Sequence, residues 1–274
     1  MKVTTKRSLI FGIRMAGIIL VTVVFAFPLY WLFATSLKTR VQVFALPPKL
    51  VFSPTFANYL QVINSWFMGN LFNSFLIAAL STIFSIAIGS LAAYGFSRYP
   101  IKGSDNILFW ILSLRMLPPI AIVLPLYVLF RALHLLDTHL ALILIYSIFN
   151  ISFTVWLMKG FFDEVPKDVE ESAMLDGYRP LQVFYKVVLP LVRPGLVATA
   201  IFCLIQTLIE FLVALILTNR VAVTATVGMA KFQVLGVEWG QITAAAAIFI
   251  LPIIIFTIFV RNQLIRGMAL GGVR

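Results

Sequence analysis

Residues Glu164–Pro180 read EVPKDVEESAMLDGYRP. Six of the chain's ten acidic residues crowd into 163–176: Asp163, Glu164, Asp168, Glu170, Glu171 and Asp176. Helix punctuation surrounds them. Pro166 suits a first helical position, where its missing N–H costs nothing. Asp168, Glu170 and Glu171 fall in the opening turns, where the helix dipole favours negative charge. Gly177 can take the left-handed stop. Pro180 then opens a second short helix, PLQVFYKVVL, which Pro190 ends. The stretch predicts two short helices joined by a tight Asp176-Gly177 turn. On the first, Val165, Val169, Ala173 and Asp176 share one side, and Glu171, Met174, Leu175 and Tyr178 another. Met174, Leu175, Tyr178 and Phe184 are too much exposed grease for a solvated connector, so a partner protein is expected to dock here.

The surroundings are apolar. The chain has 274 residues, 61% hydrophobic and 11% charged, with mean hydropathy +1.03. Soluble domains carry about 25% charged residues, so this is an integral membrane protein. A spanning helix needs about 20 apolar residues. Six runs meet that length, at 15–35, 71–97, 107–130, 140–158, 195–218 and 243–260. They are too long for barrel strands and lack period-two alternation. The expected fold is all-α and polytopic, a single transmembrane domain over 1–274, with 159–193 as a cytoplasmic loop between spans four and five.

The net charge of +11 belongs to membrane orientation rather than to nucleic acid. With the N-terminus inside, fourteen basic residues flank the inner ends and six the outer ends, with Arg115 inside a span. Both termini are therefore expected to be cytoplasmic, although Lys38, Arg40 and Lys49 of the first outer loop run against the rule. The start MKVTTKRSLIFGIRMAGIIL reads as an uncleaved first span, because its apolar run exceeds the core of a secretory signal. Cys203 is the single cysteine, so no intrachain disulfide forms. His134 and His139, with Asp137 between them, read as a solvated outer loop in preference to a metal site.

Within the spans, Ser85, Gly89 and Ala93 form a small-residue stripe on which another helix can pack closely. The third span carries Arg115, then Pro118-Pro119, which kink or break it. Such a break at membrane depth needs protein or a wet cavity beside it.

EESAMLDGYRPLQVFYKVVLPLVRPGL resembles the Glu-Ala-Ala loop of binding-protein-dependent ABC importer permeases. Glu171-Ser172-Ala173 matches the first part, with serine for the usual alanine; Asp176-Gly177 matches the second and Leu189-Pro190 the third. FPLYWLFATSLKT, PLYVLFRALHLLDTHLALIL and the tail GMALGGVR are similar to the carbohydrate branch, on the side of the second permease of maltose-type systems. Many sugar permeases carry Trp-Asn-Glu-Phe in the fifth span; Leu208-Ile209-Glu210-Phe211 keeps only the last two residues. The resemblance implies a type I importer fold whose loop is a coupling helix, seated in a groove of an ATP-binding subunit. The residues implied to couple are Glu170, Glu171, Ala173, Met174, Asp176 and Gly177. It also implies a second permease subunit, two ATP-binding subunits, an extracytoplasmic solute-binding protein and a place in the bacterial inner membrane among lipid. ATP and Mg would be held by partner subunits, since this chain has no Gly-x-x-x-x-Gly-Lys-Ser/Thr. Other catalytic motifs are missing as well, so a non-catalytic subunit is expected.

Arg115 and Glu210 are the two ionisable residues well inside spans. Each costs about 2.5–3.5 kcal/mol on insertion scales and therefore faces a cavity or a partner. Helical rise puts them at depths differing by about 10 Å. Three arrangements stay open: a salt bridge allowed by tilt or by the proline break, a place on a polar cavity for at least one of them, or Arg115 holding loose carbonyls near the prolines with Glu210 bonded to a partner subunit. Asn150 and Gln206 join them as pathway candidates. A sugar or sugar-like solute is expected, with a polyol or glycerol phosphodiester as the alternative cargo. An ion-coupled transporter would rest on Glu210 alone.

Overall fold

The computed structural model describes residues 2–234 and 238–271, with side chains for 11–232 and 238–258 except Ile13. The basic side chains of Lys2, Lys6, Arg7, Arg261, Arg266 and Arg274, and those of the tail GMALGGVR, lie outside the described residues.

Among the described residues every regular element is helical. In chain order these are α1 (Lys2–Ser36), α2 (Arg40–Val43), α3 (Ala57–Ile63), α4 (Phe67–Arg98), α5 (Ser104–Ser113), α6 (Pro119–Ala132) and α7 (His139–Asp163). The acidic loop follows with α8 (Lys167–Leu175), α9 (Pro180–Val183), a π-helical turn Phe184–Val188 and α10 (Leu189–Leu191). α11 (Arg193–Ile209), α12 (Leu212–Leu217), α13 (Ala225–Val234) and α14 (Trp239–Gly271) complete the described chain.

Four unbroken helices are long and apolar enough to cross a membrane: Arg14–Ser36, Phe67–Arg98, His139–Asp163 and Trp239–Ile258. The expected third span is divided into α5 and α6. Pro118 sits extended between them at φ −57°, ψ 128°, because a residue before proline is driven out of the helical region. The expected fifth span is divided too: Glu210 is extended, at φ −66° and ψ 134°, between α11 and α12. There is no proline at this second break, so sequence alone offered no warning of it.

Pro190 does not end its helix. The chain continues to Leu191, and the helix pair Pro180–Leu191 and Arg193–Ile209 meets at an 81° elbow. Pro190 and Pro194 each lack an N–H, and the bend falls between them at Val192.

The helices gather into two units, residues 1–68 with 229–251, and residues 69–228 with 252–274. In the first, Trp66 stacks on Phe232 at 4.7 Å, and Arg40 pairs with Glu238 at 2.9 Å. Asn58 Nδ2 donates to the Ser36 and Lys38 carbonyls at 2.8 and 2.9 Å. In the second, α7 is the central post. Its N-cap Thr138 accepts from the Ala141 N–H, and Leu142, Ile145, Val155, Met158 and Phe162 are buried along it. The small stripe of α4 meets this post as expected. Ser85 Oγ donates to the Ser147 carbonyl at 3.2 Å. A Cβ on Gly89 would lie 2.6 Å from Thr154 Cγ2. Ala93 packs with Met158 and Phe161.

Candidate functional sites

The acidic loop forms the first site. Pro166 caps α8 from outside, with φ −60° and ψ 135°, and the helix begins one residue later than expected. Gly177 stands at φ +89°. The Gly177 N–H donates to the Met174 carbonyl at 3.0 Å and the Tyr178 N–H to the Ala173 carbonyl at 3.2 Å. This pair of bonds closes the helix with a left-handed residue, the geometry that glycine supplies without strain.

The two faces of α8 differ from the sequence reading. Glu170 and Ala173 turn inward and are buried. Glu170 Oε1 accepts from Arg98 Nε at 2.5 Å and Oε2 from the Tyr94 hydroxyl at 2.6 Å. Glu170, grouped in sequence with the docking acids, is thus spent on its own chain. Phe184 is not exposed grease either: it is 2% exposed, with Tyr94 and Phe162 rings at 5.0 and 6.1 Å. The outer face keeps Glu171, Met174, Asp176 and Leu175, the last 90% exposed.

The second site lies among α5–α6, α7 and α11–α12. Arg115, Asn150, Gln206 and Glu210 all line one cavity of about 230 Å³. Arg115 sits in the break between α5 and α6, its guanidinium 4.7 Å from the centre of the Phe153 ring. Glu210 sits in the other break. Its Oε1 accepts from the Val213 N–H at 2.9 Å, and its Oε2 from the Ala214 N–H at 3.3 Å and the Tyr146 hydroxyl at 2.6 Å. The carboxylate thereby replaces partners that the broken helix gave up. Among the described residues, Arg115 and Glu210 form no ion pair within 4 Å, and both line the cavity. Asn150 Nδ2 donates to Thr207 Oγ1 at 2.9 Å and joins α7 to α11. Tyr146 and Thr207 were not singled out from sequence. Tyr146 is four residues before Asn150, on the same face of α7, and that spacing was the available signal.

At the loop before α7, Asp137 accepts from four successive backbone N–H groups, Asn219 to Ala222, at 2.9–3.1 Å. Burial pushes its carboxyl up, and the four N–H donors outweigh that and hold it below the usual value. His139 Nε2 lies 2.8 Å from Asn73 Oδ1. Among the described residues no three His, Cys, Asp or Glu side chains are grouped to hold a metal ion.

Four membrane-length apolar helices and a polar cavity lined by a guanidinium, a carboxylate and amides mark a polytopic membrane protein with polar groups in its apolar core. Residues 85–270 match the family described as "Binding-protein-dependent transport system inner membrane component". The sulfoquinovosyl glycerol transport system permease protein SmoH of Agrobacterium fabrum is 34% identical over 252 residues, covering 90% of this chain and 88% of that one. The trehalose transport system permease protein SugB of Mycobacterium tuberculosis is 35% identical over 258 residues, covering 90% and 92%. A crystal structure of a bacterial ABC transporter involved in the import of the acidic polysaccharide alginate shares the fold, with TM-score 0.78 at 23% identity over 92% of this chain and 96% of that one. The chain belongs to the family of binding-protein-dependent transport system inner membrane components: it is a multi-pass permease subunit of an ABC importer and not itself an enzyme.

Proposed function

We propose that the chain is a single transmembrane domain forming half of the translocation pathway for a sugar or sugar-like solute. Its six spans would be the four unbroken helices together with the two broken ones, 104–132 and 193–217, with both termini cytoplasmic. The observation that carries the reading is the meeting of Arg115, Asn150, Gln206 and Glu210 on one cavity. A cavity edged by two amides, a guanidinium and a carboxylate suits a polyhydroxylated solute, because hydroxyls both donate and accept. The relatives named for sulfoquinovosyl glycerol and trehalose support a sugar-like cargo.

The exposed side of α8, with Glu171, Met174, Leu175 and Asp176, is the surface on which an ATP-binding subunit docks in this reading. Leu175 supplies an apolar anchor, and the carboxylates supply charge-assisted bonds to Arg or Lys. The complex would also contain a second permease, a second ATP-binding subunit and an extracytoplasmic solute-binding protein. ATP binding closes the nucleotide subunits, α8 moves with them, and the cavity changes the side to which it opens. The test is ATPase stimulation and proteoliposome uptake by the purified complex with its binding protein, across trehalose, maltose and sulfoquinovosyl glycerol. Stimulation by a sugar supports the reading. Uptake that survives ATP depletion while a proton gradient is kept would sink it in favour of ion-coupled transport.

A further inference from the structure

The contacts of Glu170 turn it away from the exposed face of α8, and they engage both carboxylate oxygens. Its carboxylate is bound on one oxygen by Arg98 and on the other by Tyr94, and both partners lie in the last turns of α4. Arg98 reaches further. Its Nη2 donates to the Val165 carbonyl, in the turn between α7 and α8, at 3.0 Å, and its Nη1 to Ser97 Oγ at 2.9 Å. Ser97 Oγ in turn donates to Asp163 Oδ1 at 2.5 Å, at the last residue of α7, where Lys159 holds Oδ2 at 2.6 Å. One guanidinium therefore ties together α4, the end of α7, the turn after it and α8.

The Arg98 and Glu170 side chains are only 9% and 6% exposed, so water does not compete for the pair. A helix of nine residues has little stability of its own. Its apolar hold, through Val165 and Ala173, resists separation but is not directional. Charge-assisted bonds from two side chains to both oxygens fix its rotation and register as well.

We infer that Arg98 and Tyr94 are positioning residues that lock α8 to α4 through Glu170, so that displacement of α8 is delivered to α4 as a rigid body. The inference rests on the coupling role proposed above for α8. It assigns Glu170 to transmission inside the chain and leaves docking to Glu171 and its exposed neighbours.

The test needs no knowledge of the solute. In the full complex carrying Cys203→Ser, Leu117→Cys places a thiol on the cavity at a side chain with no assigned role, and its maleimide labelling is compared without nucleotide and with ATP-vanadate. In this parent the labelling rate is expected to change at least fivefold on trapping. Glu170→Gln and Arg98→Gln should flatten that change to under twofold, with the ATP-binding subunits still co-purifying. Tyr94→Phe, which removes one hydroxyl, should give an intermediate response. The exchanged pair Arg98→Glu with Glu170→Arg should recover at least half of the parent's response. A full response in Glu170→Gln overturns the inference. So does loss of co-purification in step with the response, because the pair would then serve assembly alone. No nucleotide-dependent change in the parent overturns the coupling reading itself, and the inference with it. A response lost in Leu175→Asp but kept in Glu170→Gln leaves the coupling reading standing and removes only the inference.

Discussion

Replacing Asp137 by alanine should destabilise the permease by about 3 kcal/mol, and the parts of that figure can be assigned. The 219–222 loop pairs with no strand, so its N–H groups depend on the Asp137 carboxylate. Most of them can turn to water if it is removed: Asn219 and Arg220 are exposed, and Val221 is 63% exposed. Ala222 is fully buried, and stranding its N–H costs about 1–3 kcal/mol. Asp137 also stands at φ +58°, where a residue with a plain Cβ pays about 1–2 kcal/mol. Asparagine keeps one acceptor oxygen and tolerates that backbone, so Asp137→Asn should cost only about 1 kcal/mol. Asp137→Gly removes the acceptor without the strain and should fall between the two. The carboxyl is held below its usual value in the folded protein, so its contribution is complete above the unfolded pKa of about 3.9 and is lost as pH falls through the lower folded value. The difference between parent and Asp137→Asn should therefore be flat from pH 8 to about 5 and narrow only below about 4. Thermal unfolding of the detergent-solubilised protein measures this. At neutral pH a thiol-reactive dye reads exposure of Cys203, which is fully buried; at lower pH tryptophan fluorescence replaces it. Alanine and asparagine variants of equal stability, or an alanine variant within about 0.5 kcal/mol of the parent, the usual surface range, would refute the reasoning.

Three further outcomes are expected. Gly177→Ala should be tolerated at a cost of about 1–2 kcal/mol for the left-handed backbone, since a Cβ at this position meets nothing within 4 Å; Gly177→Pro, which cannot take φ +89°, should abolish uptake with the protein still in the membrane, as immunoblotting and transport would show together. Gly89→Leu should destabilise by about 1–3 kcal/mol through overpacking, because even a Cβ meets Thr154 Cγ2 at 2.6 Å; an unchanged melting temperature would show that α4 and α7 do not approach so closely. Arg115→Met and Gln206→Ala should each cut solute-stimulated transport at least tenfold with the chain still assembled, and normal affinity and rate in both would remove the cavity from the pathway.

Much of the candidate site was legible before folding was considered. Arg115 and Glu210 announced themselves because ionised groups inside apolar runs are costly. Gly177 was marked as a turn because few other residues stop a helix in a left-handed conformation. The facing of α8 was not legible. The nine-residue helix carries acidic and apolar side chains around both sides, and Glu170 looked like Glu171. What separates them is Arg98, 72 residues away in the chain. Asp137 was read as part of a solvated loop for the same reason: its partners lie 82–85 residues onward.

The sequence by itself determined that this chain spans a membrane as helices, where the turn of its loop falls, and which polar residues interrupt its apolar runs. Those are local properties, set by apolar run length, by proline and glycine backbones and by the cost of charge in hydrocarbon. The tertiary structure decided that two of the apolar runs are broken, at Pro118 and at Glu210, that Arg115 and Glu210 share a cavity without pairing, and that Glu170 clasps α4 while Glu171 faces outward. Each of these depends on which distant group meets a polar atom once the helices pack, and no spacing along the chain encodes that meeting.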